Sequence, residues 1–323
     1  MAEFYAEEGI GETRIVQVEN GRIVAAKLDW HEELTVGARV VARITQRKRQ
    51  DDRALLQTNE GAAIWARDLP SSASEGSEVT VEIVRAPIRE DGRGKPATGR
   101  YTDEPPRSFS AIGRIRATGE NVRMVHRFPV DGWDDIVEIA ASGQVAFDGG
   151  SLILHPTPAM TLIDIDGHLP PRELALAAVP AIADTLHRIE LYGSIGIDFP
   201  TLNTKADRKI VDTALANALS NYPHERTAMN GFGFVQLVAR LEGPSILHRF
   251  AASRTGAHAR LLLRQAEMVE DHGMLLLTCH PAIAAKLKPK WIDELGRRMG
   301  RELRVSSDPG LALDGGFAQA VPQ

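Results

Sequence analysis

Alternation of apolar and polar residues dominates the first third of the chain. Arg14-Ile15-Val16-Gln17-Val18 and Arg22-Ile23-Val24-Ala25-Ala26 flank Asn20-Gly21. Asn and Gly tolerate the two positive φ values of a type I′ turn, so residues 13–28 read as a β-hairpin. β-Branched runs follow at 39–44, 55–58 and 78–84, separated by clusters of Gly, Ser and Asp. No helical period links them, and several short strands within about 60 residues predict a small β-barrel such as an OB-fold.

Breakers come next. Residues 89–96 and 103–107 are rich in Gly, Pro and charge, which predicts a linker rather than a packed element. The stretch 108–132 carries Arg114, Arg116, Arg123 and Arg127 between apolar residues and reads as a pair of short strands. From Trp133 the period alternates between helix and strand. A short helix over 134–142 precedes strands at 144–147, 151–154 and 160–166. Residues 171–191 have helical spacing through Leu174, Ala178, Ile182 and Leu186, with a kink expected at Pro180 and an end at Gly193. A strand over 194–199 follows, then a helix capped by Asn203-Thr204 and running to about residue 219. Beyond it come a strand at 233–241, a helix at 256–268, a strand at 274–278, short helices at 282–287 and 291–298, and a strand at 303–306.

At 323 residues the chain is long enough for two or three domains at roughly 100–200 residues each. The expected division is a hairpin plus OB-fold-like barrel over 1–104, a mixed α/β domain with a βαβ unit over 105–250, and a small α+β unit over 251–323. Aromatic residues are only 5%, so the cores must be largely aliphatic. The single cysteine, Cys279, excludes an internal disulfide and a cysteine-rich zinc module. The first residues are acidic where a secretion signal is basic and then apolar, and no run of about 18 apolar residues occurs. A cytoplasmic protein without a membrane span is expected. Net charge is −5, yet residues 39–127 hold 17 Lys or Arg against 12 Asp or Glu. That asymmetry points to a polyanion-binding N-terminal region, where arginine can pair with phosphate and stack on bases.

Candidate chemistry lies at two strand ends. Ile163-Asp164-Ile165-Asp166 and Ile197-Asp198-Phe199 are separated by one helix-length segment. Strand, helix and strand in one sheet form a right-handed crossover with parallel strands about 4.8 Å apart, so Asp164 and Asp198 can stand side by side at the carboxyl ends, where such sheets bind ligands. Asp166 shares the face of Asp164. Strand-end aspartates also cap turns, and spacing leaves that structural role open. As ligands, oxygen donors favour Mg²⁺ or Mn²⁺ over zinc, and such an ion activates water and neutralises charge on a phosphodiester. No His-x-x-x-His, phosphate-loop or Ser-His signature competes with the aspartates.

The runs DGGSLILHPT (148–157), AMTLIDID (159–166) and GSIGIDF (193–199), with FGFV (232–235) and GPS (243–245) downstream, resemble the catalytic core of the ribonuclease E/G family. The resemblance is specific over 144–245 and extends more loosely to an OB-fold RNA-binding module at 36–99 and to a small terminal unit at 275–287 and 300–305. It implies a Mg²⁺-dependent endoribonuclease that hydrolyses phosphodiester bonds of single-stranded RNA in RNA processing or decay. Asp164 and Asp198 would then hold the metal and Asp166 would tune the site. Lys95 matches a basic RNA-contacting position, Trp65 would stack a base, and Arg43, Arg226 and Arg240 would contact phosphate.

This chain departs from the family pattern in several places. Asp166 replaces an asparagine, the helix start reads ALAAV (175–179) in place of a polar run, and QLVA (236–239) replaces a strand with glutamate and arginine. The segment carrying a five-prime monophosphate pocket shrinks to about 106–132, and the cysteine motif that links protomers through zinc is absent, so no zinc-linked dimer is expected. The OB-fold phenylalanines are replaced by Leu55-Leu56-Gln57 and Ala63-Ile64-Trp65. The alternative expectation is therefore an RNA-binding protein on the same scaffold with lost or reduced catalysis.

Overall fold

The computed structural model describes residues 2–48, 52–90 and 93–322. Strands β1 (Glu3–Glu8), β2 (Glu12–Glu19) and β3 (Arg22–Trp30) form an antiparallel meander. Asn20 and Gly21 turn between β2 and β3 with φ of 51° and 74°, as a type I′ turn requires. Val16, Val18, Ile23 and Leu28 of this meander are buried in the main hydrophobic core of the molecule rather than in the barrel.

The barrel consists of β4 (Arg39–Lys48), β5 (Arg53–Gln57), β6 (Ala63–Arg67), β7 (Glu78–Arg85) and, after a separate hairpin of β8 (Ile88–Glu90) and β9 (Arg93–Lys95), β10 (Ala97–Tyr101). It closes in the order β10-β6-β5-β4-β7. β10 runs parallel to β6 and antiparallel to β7, an OB-like five-stranded closure. Ala42, Ile44, Leu56, Ile64, Val81 and Ile83 fill it, so the interior is aliphatic, as the low aromatic content requires. The segment expected as a linker includes the β8–β9 hairpin; its central residues Asp91 and Gly92 lie outside the described residues.

Residues 108–132 differ from the expected strand pair. Ser110 accepts a hydrogen bond from Gly113 N at 3.2 Å and caps helix α1 (Ala111–Ala117), an N-cap signal that overrides the alternating pattern. Only β11 (Val122–Met124) is extended, and it adds to β1 in parallel.

Helix α2 (Trp133–Ser142) leads into β12 (Gln144–Phe147), β13 (Gly150–Pro156), β14 (Thr161–Gly167), α3 (Pro171–Arg188), β15 (Gly193–Asp198), α4 (Lys205–Ala218), β16 (Glu225–Arg226) and β17 (Phe234–Ala239). The six strands order as β12-β13-β14-β15-β17-β16. β14 and β15, joined through α3, are parallel; the other neighbours are antiparallel. One face of the sheet is buried: Leu152, Leu154, Ile163, Ile165, Ile195, Ile197, Val235 and Leu237 join Leu174, Ala178, Ile182 and Leu186 of α3 in one core. The opposite face presents Leu162, Asp164, Asp166, Asp198 and Val238 to solvent, the one-sided burial usual for antiparallel sheets.

Helix α3 runs on through Pro180 and ends at Arg188, before Gly193. Glu190 takes a left-handed φ of 47°, and Leu191 N and Glu190 N donate to Leu186 O (3.0 Å) and His187 O (3.1 Å). This is a Schellman closure built on a residue other than glycine, which is why the glycine signal points too far along. Lys27 holds the Glu190 carboxylate at 2.7 Å.

Helix α5 (Ile246–Ala252) packs into the main core through Ile246, Leu247 and Phe250, and the last unit contains α6 (Arg254–Glu267), β18 (Met274–Cys279), α7 (Pro281–Ala284), α8 (Pro289–Met299), β19 (Leu303–Ser307) and β20 (Phe317–Val321). Its sheet orders as β19-β18-β20 over a core of Leu262, Leu263, Leu275, Leu277, Trp291 and Leu295. Arg260 ties this unit to the N-terminal meander, with its guanidinium 4.1 Å from the Trp30 ring and 4.7 Å from the Trp291 ring. Among the described residues no helix is long and apolar enough to cross a membrane.

Candidate active site and nucleic-acid interface

The crossover through α3 sets β14 and β15 in a register that pairs Ile163 with Ile197 and Asp164 with Asp198. The two carboxylates therefore leave adjacent strands, about 4.8 Å apart at the backbone, on the open face of the sheet. Each strand drives its apolar residues into the core on alternate positions, which forces the intervening aspartates outward. Ile153 and Phe234 extend this row across β13 and β17, as partners of Asp164 and Asp198.

Asp164 Oδ1 accepts from the following backbone N–H of Ile165 at 3.0 Å, and Asp166 Oδ1 accepts from Gly167 N at 2.9 Å. No ion pair neutralises Asp164, Asp166 or Asp198 among the described residues. Two carboxylates side by side without a cation repel each other, and a divalent ion with oxygen preference relieves that repulsion. The donor set fits Mg²⁺, which takes one or two carboxylates and keeps several waters. Asp166 shares the face but sits one pleat repeat farther along, opposite Ser151. It does not close the pair into a three-ligand cluster, and among the described residues no group of three or more His, Cys, Asp or Glu does so elsewhere.

Gly196 lets two side chains pack closely on this face. A Cβ on Gly196 would meet the Phe234 ring at 2.5 Å and Met160 Sδ at 2.9 Å, so both side chains lie over the β15 backbone beside the carboxylates. Gln236 pairs with Gly196 across the strands and donates to Ser194 Oγ at 3.3 Å.

The two arginines expected near phosphate have different surroundings. Arg226 is engaged internally: its guanidinium bonds both carboxylate oxygens of Asp212 at 2.6 and 3.2 Å, the Asp212 backbone oxygen at 3.1 Å and Thr227 O at 3.1 Å. The Arg226 hydrogen bonds, with a further one from Met229 N at 3.0 Å, hold the Asp212 carboxyl below the usual carboxylate range. Arg240 is 82% exposed at its side chain and 3.6 Å from Glu242; it follows Ala239, which pairs with Gly193, so it stands at the opposite end of the sheet from Asp198 and is not beside the carboxylates as expected.

On the barrel, Trp65 is half-buried opposite Leu55 and Thr98. It lines a concave groove of about 670 Å³ together with Arg53, Arg67, Arg85 and Arg100, side chains from four strands that no sequence window brings together. Arg100 pairs with Asp68 at 3.1 Å, and Arg85 donates to Pro96 O at 2.7 Å. An indole flanked by guanidinium groups is a surface for a base and its phosphates. Arg43 lies outside this groove and pairs with Glu78 at 3.0 Å. Lys95 Nζ donates to Pro158 O at 3.1 Å, in the loop before β14, and so joins the barrel to the sheet that carries the aspartates. Trp65 is legible in the sequence, whereas the groove arginines are not, their only local trace being the Trp65-x-Arg67 alternation.

No protein-family model matches the chain. Ribonuclease G of Escherichia coli strain K12 is 29% identical over 193 residues, which cover 50% of this chain and 39% of that protein. Ribonuclease G of Haemophilus influenzae is 32% identical over 155 residues, covering 44% of this chain and 31% of that protein. The chain is thus distantly similar to ribonuclease G and spans well under half the length of these curated relatives.

Proposed function

We propose that this chain is a Mg²⁺-dependent endoribonuclease acting on single-stranded RNA. The observation that carries this reading is the register pairing of Asp164 with Asp198 on parallel strands, with no ion pair to either among the described residues. The Trp65 groove and the distant likeness to ribonuclease G support it. Asp164 and Asp198 would hold the ion, with Asp166 tuning the field along the strand. When bound, the ion lowers the pKa of a water and neutralises charge on a phosphodiester. The barrel would bind the strand through Trp65 and the groove arginines, while Arg240, at the end of the sheet away from Asp198, would take no part at the carboxylates. Lys95 would keep barrel and sheet in one orientation, so that RNA leaving the groove meets the carboxylates.

One observation favours a second reading, RNA binding with lost or reduced cleavage: no third ligating side chain joins the aspartate pair among the described residues. Incubating the protein with single-stranded RNA and Mg²⁺, beside Asp164→Asn and Asp198→Asn, separates the two. Cleavage lost in both variants is expected. Cleavage unaffected by either substitution would sink the catalytic assignment, and binding without cleavage by the native protein would favour the second reading.

A further inference from the structure

Phe232 is 84% exposed, far more than any other large apolar side chain among the described residues. Its turn does not let it collapse onto the surface. Asn230 Oδ1 accepts from both Phe232 N (2.9 Å) and Phe234 N (3.0 Å), while Asn230 N donates to Phe234 O (3.1 Å) and Gly233 N donates to Asn230 O (3.2 Å). Side-chain-to-backbone bonds of this kind fix a turn much as a backbone turn does. Gly233 has φ of 91°, and a Cβ there would lie 2.7 Å from Phe199 O, so only glycine lets the turn press this closely on the end of β15. Asp212, through Met229 N, fixes the other end of the segment.

The same turn lies beside the carboxylate pair. Gly233 O accepts from Phe199 N at 3.3 Å, one residue beyond Asp198, and Phe234 is the cross-strand partner of Asp198 itself. A rigid turn thus holds an aromatic face in solvent next to the point where a phosphodiester would be bound. Every nucleobase has a π-face that stacks on an aromatic ring, whatever its sequence. Apolar and half-apolar positions on the open sheet face, Leu162, Val238 and Phe234, continue the same surface.

We propose that Phe232 is a base-stacking platform that seats the nucleobase adjoining the phosphodiester held at Asp164 and Asp198. The assignment rests on the ribonuclease reading for the phosphodiester and on geometry for the base. Phe232 is a positioning residue: it acts on where the strand lies, not on the reacting atoms.

The test uses the full chain and two readouts. In an Asp198→Asn background, where cleavage is expected to stop, single-stranded RNA dodecamers carrying 2-aminopurine at successive positions should show quenching on binding at one or two adjacent positions. Phe232→Ala should abolish that quenching, and Phe232→Tyr should keep it. With Asp198 intact, Phe232→Ala should lower kcat/KM about tenfold, with Phe232→Tyr restoring it and Phe232→Leu not. Unchanged quenching and unchanged kcat/KM in Phe232→Ala would overturn the proposal. So would loss of a native dimer in Phe232→Ala with unchanged quenching, since the ring would then be a contact between copies of the chain. If the native protein cuts no RNA, the ribonuclease reading fails by itself, and the quenching arm alone then upholds or overturns the base contact.

Discussion

Asp164 stands directly across from Asp198 on adjacent parallel strands, each aspartate following an isoleucine that points into the core on the opposite face of the sheet. The isoleucines specify the register, because a one-residue slip of either strand would bury its carboxylate and expose its isoleucine. Like charges in directly opposed positions destabilise a sheet unless something neutralises them.

Neutralising one member of the pair should therefore stabilise the metal-free protein by up to about 1 kcal/mol, while removing the response to metal. Thermal melts of the native chain should shift upward with added Mg²⁺, by about 2.7 kcal/mol at a hundredfold excess over Kd. Asp198→Asn should melt higher than the native chain without Mg²⁺ and show little further shift with it. RNA cleavage in the same variant should fall about a hundredfold or more. Equal Mg²⁺ shifts in both proteins would argue that the ion binds elsewhere.

The groove predicts a particular salt dependence. Arg53→Ala and Arg67→Ala should each weaken RNA binding and reduce the slope of log K against log salt by about 0.7, the value for one phosphate contact on a single strand. Trp65→Ala should cost about 1–3 kcal/mol of binding with no change in slope, because stacking releases no counterion. Filter binding or fluorescence anisotropy at several salt concentrations checks both.

Asp212 links acid stability to the turn that presents Phe232. Its folded pKa is depressed below the ordinary 3.8 by the Arg226 hydrogen bonds, so its stabilisation is complete above about pH 5 and is lost as pH falls through the lower folded value. Asp212→Asn should destabilise the protein by roughly 1–2 kcal/mol at pH 7. The difference from the native chain should shrink in melts below pH 3. A difference independent of pH would mean that packing, not charge, holds Arg226.

Among the described residues, 108–132 carry α1 and β11 as their regular elements before α2. With so little structure to enclose a terminal phosphate, cleavage of five-prime monophosphorylated and hydroxylated RNA should proceed at equal rates. A large preference for the monophosphorylated strand in parallel time courses would contradict this.

Much of this fold was legible locally. Asn20-Gly21 specified its hairpin, Thr204 capped α4 by accepting from Asp207 N at 3.0 Å, and the apolar period of 171–191 marked the crossover helix. Elements with weaker local signals were not seen. β16 is only two residues long, and β20 lies in a Gly-rich tail whose extended shape comes from pairing with β18. The Ser110 cap carries a weak signal because its helix is short and holds two arginines, and α3 ends before Gly193 because Glu190, not a glycine, takes the left-handed position.

The sequence by itself determined that two apolar strands end in carboxylates on either side of one helix, since strand alternation and helical period are properties of neighbouring residues. Only the tertiary structure decided that Asp164 and Asp198 share a rung, that arginines from four barrel strands surround Trp65, that Asp212 occupies Arg226, and that Phe232 stays in solvent. Those relationships join residues far apart in the chain. They depend on how the crossover, the barrel closure and the Asn230 turn set one backbone against another, which no local pattern of residues encodes.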